Sequence, residues 1–305
     1  MYYIRHYYIS GSKDPNFKNF LESKFSIPCD SYNYPDGTYC YNFDLPENHP
    51  LFPIIEPQLP KPTPQGAEPW KTGEEYVSIS YYPQYTEQEF QNAKWYTIRS
   101  SFSKVWDEAS RDTVRKATCS DGITVDYFKG RHDYIFGDFM VDRAVKWGNH
   151  FFASSVALGE YQIFCSSTTK SIMEEAGIRG IEFQFVRKPH TGKTIEDLFY
   201  MNVLNTIPDG AVVAGEEMDS FTCICGMHML GYHNTRGTFR INAQSFDQSL
   251  DFVRTLPLFV TDSTKFHEGK TGGGDRLLVS RRFYDFVKTR KMDRALWFEP
   301  VEIIP

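Results

Sequence analysis

Residues 277–301 read LLVSRRFYDFVKTRKMDRALWFEPV: a short apolar run, a serine that can cap a helix, an amphipathic stretch and a second apolar run. Residues 161–185, YQIFCSSTTKSIMEEAGIRGIEFQF, repeat that order. An apolar strand, a capping serine and apolar residues at helical spacing predict strand–helix–strand. The sequence therefore predicts two such units, at about 161–186 and 277–303. The residues predicted to lay each helix on its sheet are Ile172, Met173 and Ala176 in the first copy and Phe283, Phe286 and Val287 in the second.

Around these units we expect an α+β fold, with a mixed sheet and packed helices. Residues 146–305 are predicted to form the C-terminal domain that contains both units. Residues 1–145 are predicted to form an aromatic-rich N-terminal α+β region. Its first segment, Tyr2 to Ile9, is aromatic and β-branched, as strands are. Phenylalanines and a leucine then recur at near-helical spacing between Phe17 and Phe25.

A proline-rich arm is predicted at residues 46–69. Proline removes a backbone donor and disfavours helix in the residue before it. We therefore expect this stretch to be extended or polyproline-like and to lie over the surface, because its apolar residues need cover. The prolines are Pro46, Pro50, Pro53, Pro57, Pro60, Pro62, Pro64 and Pro69, and the apolar residues are Leu51, Phe52, Ile54 and Ile55.

Composition and charge restrict the classes of function. The chain has 305 residues and a net charge of −6, which disfavours a binder of nucleic acid or of anionic membranes. Its first residues, MYYIRHYYIS, have no apolar core of the secretory type, and no run of 18 apolar residues occurs. Six cysteines are too few for a disulfide scaffold. We expect a cytoplasmic protein with reduced thiols.

The strongest candidate for a metal site is the group Cys223, Cys225, His228 and His233. Thiolates and imidazoles are ligands that zinc prefers, and four of them would close a tetrahedral site. The spacing Cys-x-Cys differs from the usual Cys-x-x-Cys, and a second cysteine pair is missing. Buried strand cysteines are therefore the favoured interpretation, with zinc as the alternative, and we expect no other cofactor.

No familiar catalytic motif occurs in the sequence. Acid–base residues do lie near one another, at His132, Asp133 and Asp138, and at His228 with Asp219. Such neighbours are common in a chain with 39 carboxylates, so they define an alternative and not the main prediction: an enzyme of unfamiliar type with a His/Asp site.

The unit at Val279–Lys288, followed by Leu296–Val301, resembles the C-terminal ending of bacterial immunity proteins of polymorphic toxin systems. The earlier unit at Ile163–Phe185 and the Cys-Ile-Cys-Gly at 223–226 are similar to the double-CxxCG family of myxobacteria, although one pair is shortened here and the other is not evident. The resemblance covers about the last half of the chain. It implies a non-catalytic protein that binds and neutralises a cognate toxin.

An immunity protein needs a shaped surface with aromatic anchors for its partner. Three candidate contact regions are the tyrosine-rich stretch 76–85, with Tyr81, Tyr82 and Tyr85, the loop 263–275, with Lys270 and Asp275, and the proline-rich arm. Three hypotheses result: an immunity protein whose partner is a toxin, the unfamiliar enzyme, and a zinc-stabilised interaction module.

Overall fold

The computed structural model confirms an α+β fold with mixed and antiparallel sheets. It describes residues 1–63, 75–106, 117–118, 124–125, 140–155, 162–208, 210–215, 220–222, 228–231, 238–255, 258–260, 273–274 and 276–305. These residues form two compact units, residues 1–86 and residues 87–232 with 238–305. The units change at residue 87, whereas the sequence-based division was placed after residue 145.

The first unit is a four-stranded antiparallel sheet in the order β2-β3-β1-β4. Alternation along β1 directs Tyr3, Tyr7 and Ile9 to one face, where the helices pack. Tyr7 stacks on Phe43 there, with ring centroids 4.8 Å apart. The elements are β1 (Tyr2–Ser12), α1 (Phe17–Phe25), β2 (Asp30–Asn33), β3 (Tyr39–Pro46), α2 (Phe52–Ile55), a 3₁₀ turn (Glu56–Gln58) and β4 (Tyr76–Gln84).

The proline-rich arm packs on this core, but the prediction that it is extended was wrong for residues 52–58. These residues form α2 and the 3₁₀ turn. Pro53 lies in the first turn of α2 and Pro57 in that of the 3₁₀ turn. Backbone N–H groups in a first helical turn have no acceptor within the helix, so a proline there costs no hydrogen bond. Ile55 is fully buried, as its need for cover predicted, while Ile54 is 55% exposed. The end of the arm, at 64–69, lies outside the described residues.

The second unit contains two larger sheets. One has the order β11-β12-β10-β9-β6 and the other the order β13-β18-β21-β5-β22-β17-β14. The helices are α3 (Glu87–Asn92), α4 (Ser167–Glu175) and α5 (Arg281–Thr289), with a 3₁₀ turn at Ala243–Ser245. The strands are β5 (Trp95–Ser100), β6 (Ser103–Val105), β7 (Ala117–Thr118), β8 (Thr124–Val125), β9 (Phe152–Ser155), β10 (Ile163–Cys165), β11 (Ile181–Arg187), β12 (Thr194–Val203), β13 (Thr206–Ile207), β14 (Val212–Ala214), β15 (Ser220–Thr222), β16 (His228–Gly231), β17 (Phe239–Asn242), β18 (Phe252–Thr255), β19 (Leu258–Val260), β20 (Gly273–Gly274), β21 (Leu277–Ser280) and β22 (Leu296–Ile304).

Both predicted strand–helix–strand units are present, as β10-α4-β11 and β21-α5-β22. In each, a serine before the helix accepts a hydrogen bond from a first-turn amide: Ser166 from the N–H of Thr169, and Ser280 from that of Phe283. The two strands of a unit are not neighbours. A third strand lies between them, antiparallel to both: β12 in the first unit and β5 in the second.

The duplication is larger than the sequence analysis predicted and extends over residues 95–187 and 194–304. Each copy begins with a long strand, β5 or β12, and a short strand follows it, β6 or β13. The short strand pairs in parallel with a later strand of the same copy: β6 with β9, and β13 with β18. Registers agree, since Thr97 opposes Leu278 and Tyr200 opposes Phe164. Because each copy's first strand lies in the other copy's sheet, the two copies exchange their central strands.

One apolar core joins the two copies. It contains Phe152 and Met173 of the first copy together with Phe252, Phe283 and Phe298 of the second, all buried. Each sheet has a separate core on its opposite face, around Phe164 and Tyr200 in one and around Trp95 and Leu278 in the other. Burial on both faces explains why β10 and β21 read as unbroken apolar runs in the sequence.

Candidate functional site

The start of α5 is joined to the end of α4 by a network that we call the closed junction (Ala176, Gly177, Arg179, Asp251, Ser280 and Arg282). Its centre is the carboxylate of Asp251, of which 2% is exposed. Oδ1 accepts from Ser280 Oγ at 2.7 Å. Oδ2 accepts from the Arg179 N–H at 2.9 Å and from Arg282 Nη1 at 2.7 Å. A buried carboxylate is thus supplied with three donors, two uncharged and one cationic.

The guanidinium of Arg282 also reaches the end of the neighbouring helix. It donates to the carbonyl oxygens of Ala176 at 2.7 Å and of Gly177 at 3.1 and 3.2 Å. These carbonyls are at the C-terminal end of α4. The last carbonyl oxygens of a helix have no partner within it and attract cations. The charged side chain of Arg282 therefore occupies the space between the two helices.

The equivalent place in the other copy is a cavity of about 550 Å³ that we call the open junction. Its lining includes Trp147, His150, Phe151, Ser166, Thr168, Asp197, Lys291 and Arg294. The pairing registers equate Phe151 with Asp251, and equal spacing from the capping serine equates Thr168 with Arg282. At the two positions where Asp251 and Arg282 close the counterpart, the open junction therefore has neither a carboxylate nor a guanidinium; its own acid and arginine, Asp197 and Arg294, come from other positions.

The turn after each helix accounts for the rest of the difference. Residues 176–180 follow α4, whereas residues 290–295 follow α5, a turn one residue longer. In the closed junction the shorter turn lies against the sheet, since the N–H groups of Asp251 and Phe252 both donate to the Arg179 oxygen, at 3.0 and 3.1 Å. The longer turn instead directs the oxygen of Ala295 to the Ser101 N–H, at 2.9 Å.

The walls of the open junction are held by hydrogen bonds and stacking. Asp197 Oδ1 accepts from the N–H and the hydroxyl of Ser167, at 2.9 and 2.6 Å. Trp147 Nε1 donates to the Asp197 backbone oxygen at 3.1 Å. The His150 ring stacks on Phe102, with centroids 3.9 Å apart and planes inclined by 4°. The indole and the imidazole are therefore fixed before anything enters the cavity.

A second candidate is the face of the first unit's sheet that lies opposite the helices, which we call the tyrosine face. Edge contacts join its rings: Tyr8 with Tyr76 at 6.2 Å, and His6 with Tyr82 at 6.1 Å. Tyr32 is 60% exposed and Tyr82 36%. By strand alternation the face comprises Tyr2, Ile4, His6, Tyr8, Ser10, Asp30, Tyr32, Cys40, Asn42, Asp44, Pro46, Tyr76, Ser78, Ser80, Tyr82 and Gln84.

The structure separates the tyrosines that the sequence analysis grouped together. Tyr82 lies on the tyrosine face, whereas Tyr81 lies on the helix-covered face, with its ring centroid 5.6 Å from the Arg5 Cζ. Tyr85 follows the end of β4. Strand alternation would have identified the shared face, because Tyr2, His6 and Tyr8 of β1 have the same parity as Tyr82.

The other predicted site residues fall where the structure gives no description. Lys270, Asp275, Cys223, Cys225 and His233 lie outside the described residues, as do Asp219 and the acid–base group His132, Asp133 and Asp138. His228 is in β16. In the parts of the chain that are described, no three His, Cys, Asp or Glu residues are grouped to hold a metal ion. The zinc and His/Asp hypotheses stay predictions.

The described cysteines are buried thiols. Cys29, Cys40 and Cys165 are all buried and free. Burial raises the pKa of Cys29 to about 11 and raises that of Cys165 further above its ordinary value. A thiol with a raised pKa is a poor nucleophile at neutral pH, so Cys29 and Cys165 behave as small apolar residues.

No family model, curated protein or solved structure matches the chain. The resemblance to immunity proteins therefore stays a prediction. Across the described ranges, no helix has both the length and the apolar character needed to cross a bilayer.

Proposed function

We propose that this protein is a cytoplasmic immunity protein that binds a cognate bacterial toxin and blocks it by covering its surface, without catalysis. The observation that carries the proposal is the tyrosine face. Tyrosine presents a large apolar ring and a polar hydroxyl at small conformational cost, and it is enriched at sites that dominate protein binding. The resemblance of the two strand–helix–strand units to immunity proteins points to the same function.

The charges of this face support one kind of partner. Its members include two aspartates, Asp30 and Asp44, and no lysine or arginine. The Asp44 carboxylate is 63% exposed and accepts from the His6 ring at 2.7 Å. The whole chain carries a net charge of −6. An acidic, aromatic surface is complementary to a basic one, and such complementarity accelerates association. The toxin is therefore expected to present a basic docking surface.

Co-expression with the toxin encoded by the neighbouring gene tests the function. The wild-type chain is expected to restore growth and to bind the purified toxin in a salt-dependent manner. The double variant Tyr32→Ala/Tyr82→Ala is expected to weaken binding by at least about a hundredfold, since aromatic anchors that become buried in an interface contribute about 2 kcal/mol or more each. Asp44→Lys is expected to slow association.

The matched control is Trp297→Ala, which removes an aromatic side chain that is 57% exposed in the second unit. It should leave binding and rescue unchanged. Failure of the well-folded wild-type chain to rescue growth would contradict the function. Full rescue by the double tyrosine variant, with unaltered affinity, would contradict the assignment of the binding face.

A further inference from the structure

We propose that the open junction binds a small anionic ligand in which a phosphate or carboxylate group is joined to a planar ring. This site lies in the second unit and is independent of the toxin-binding face proposed above. Its volume of about 550 Å³ is within the usual range of small-molecule pockets, roughly 300–1,000 Å³.

Two cationic side chains supply the recognition of the anion. Lys291 and Arg294 line the cavity, and neither forms an ion pair or a side-chain hydrogen bond with any described residue. The nearest amides at the start of α4 are already used, because the Ser167 N–H donates to Asp197 and the Thr169 N–H to Ser166. The positive charge that binds an anion therefore comes from the lysine and the arginine, while Thr168 and Asn149 add uncharged donors to the lining.

The aromatic side of the cavity supplies the recognition of the ring. Trp147, His150 and Phe151 line it together. The Trp147 indole is fixed by its bond to the Asp197 oxygen, and Phe102 covers one face of the His150 ring. Rings that are already held in place contact a planar ligand with little further loss of conformational freedom.

The closed junction indicates what this place in the fold can accommodate. There the protein's own Asp251 carboxylate lies between Ser280 and Arg282. In the open junction the capping serine is retained as Ser166, and Phe151 stands where the acid would be. The cations, Lys291 and Arg294, come from the turn after α5. The one carboxylate in the lining, Asp197, accepts from Ser167 and forms no ion pair with Lys291 or Arg294 among the described residues. A charge pairing that is internal in one copy is thus left to be completed by an external anion in the other.

Isothermal titration of the full chain tests this inference, with adenosine monophosphate and 4-hydroxybenzoate as the phosphate and carboxylate probes. Inorganic phosphate and adenosine serve as the separate halves of the first probe. At least one of the two complete probes is expected to bind with one-to-one stoichiometry. It should bind at least about tenfold more tightly than either inorganic phosphate or adenosine.

The double variant Lys291→Ala/Arg294→Ala is expected to weaken that binding at least about tenfold, and more at low salt than at high salt. The matched control, Lys188→Ala/Arg290→Ala, removes the same two charges from exposed residues that do not line the cavity, and it should retain wild-type affinity. Thermal unfolding of all variants identifies any that fail to fold. The inference is overturned if neither complete probe binds saturably, if phosphate alone binds as tightly, or if the two double variants behave alike.

Discussion

The closed and open junctions occupy the same place in two copies of one fold and differ in what fills it. In one copy Asp251 and Arg282 join two helices through charged hydrogen bonds. In the other, Phe151 and Thr168 stand at those places and a cavity remains. The backbone around both is alike, with the same strand registers and the same capping serine. The difference shows that a few side chains and one extra turn residue decide whether this junction is sealed.

The exchange of central strands explains why the two copies can diverge here without losing the fold. The five-stranded sheet contains four strands of its own copy and one of the other, the seven-stranded sheet contains six and one, and both helices share a single core. Neither copy depends on its junction alone, because the exchanged strands β5 and β12 hold the copies together.

Division of the chain between β11 and β12 should abolish folding of the first copy. A fragment of residues 87–192 lacks β12, which pairs with both β10 and β11, so β11 is separated from the rest of its sheet. We expect circular dichroism to show an unfolded fragment. Co-expression with residues 193–305 should recover a folded complex on gel filtration. A folded, monomeric 87–192 fragment would contradict the exchange of strands.

Asp251→Ala should lower the free energy of unfolding by about 3 kcal/mol, because it leaves a buried hydroxyl and a backbone N–H without their acceptor. The control at the open junction is Asp197→Ala, whose exposed carboxylate also accepts from a serine at a helix start. That change should lower the stability by less than about 1 kcal/mol. Urea denaturation measures both. Equal effects would show that the closed junction is not a buried network.

Gly180 and Ala295 are equivalent, since each precedes the second strand of its unit with positive φ, +96° and +66°. A Cβ on Gly180 would lie 2.4 Å from the Phe252 oxygen, so Gly180→Ala should lower the stability by about 2–3 kcal/mol. Ala295→Gly, which relieves a left-handed alanine, should raise it by up to about 1 kcal/mol. Thermal unfolding distinguishes the two signs, and a destabilising Ala295→Gly would contradict the equivalence.

Local features of the sequence were sufficient to predict the two strand–helix–strand units. Apolar runs, capping serines and helical spacing lie within about 25 residues of one another in each copy, and such patterns are determined by nearby residues. The third strand of each sheet was not predictable in this way. Trp95–Ser100 pairs with residues about 200 positions later, and periodicity along the chain contains no information on such a partner.

The candidate sites show the same limit. The tyrosine face can be predicted from the alternation of side chains along a strand. Tyr81 and Tyr82 were predicted to share one surface because they are neighbours in sequence, but neighbours in a strand lie on opposite faces. The cavity depends on two differences between the copies: Phe151 stands at the position that Asp251 has in the other copy, and the turn after α5 has one extra residue. These differences gain meaning only when the two copies are aligned by their strand registers, which requires the structure.

The smallest expected effect separates the two capping serines. Ser166 caps α4 through the Thr169 N–H and also pairs with the uncharged Thr169 hydroxyl at 2.9 Å, and loss of such a cap lowers stability by about 1 kcal/mol. Ser280 caps α5 in the same way, but its second partner is the buried Asp251 carboxylate, so its removal leaves a charged acceptor short of a donor. We therefore expect Ser280→Ala to lower the free energy of unfolding by about 1 kcal/mol more than Ser166→Ala does. In an Asp251→Ala background the difference should vanish, because the extra acceptor is gone. A difference that persists in that double-mutant cycle would locate the asymmetry of the two copies in the helices and not in the junctions.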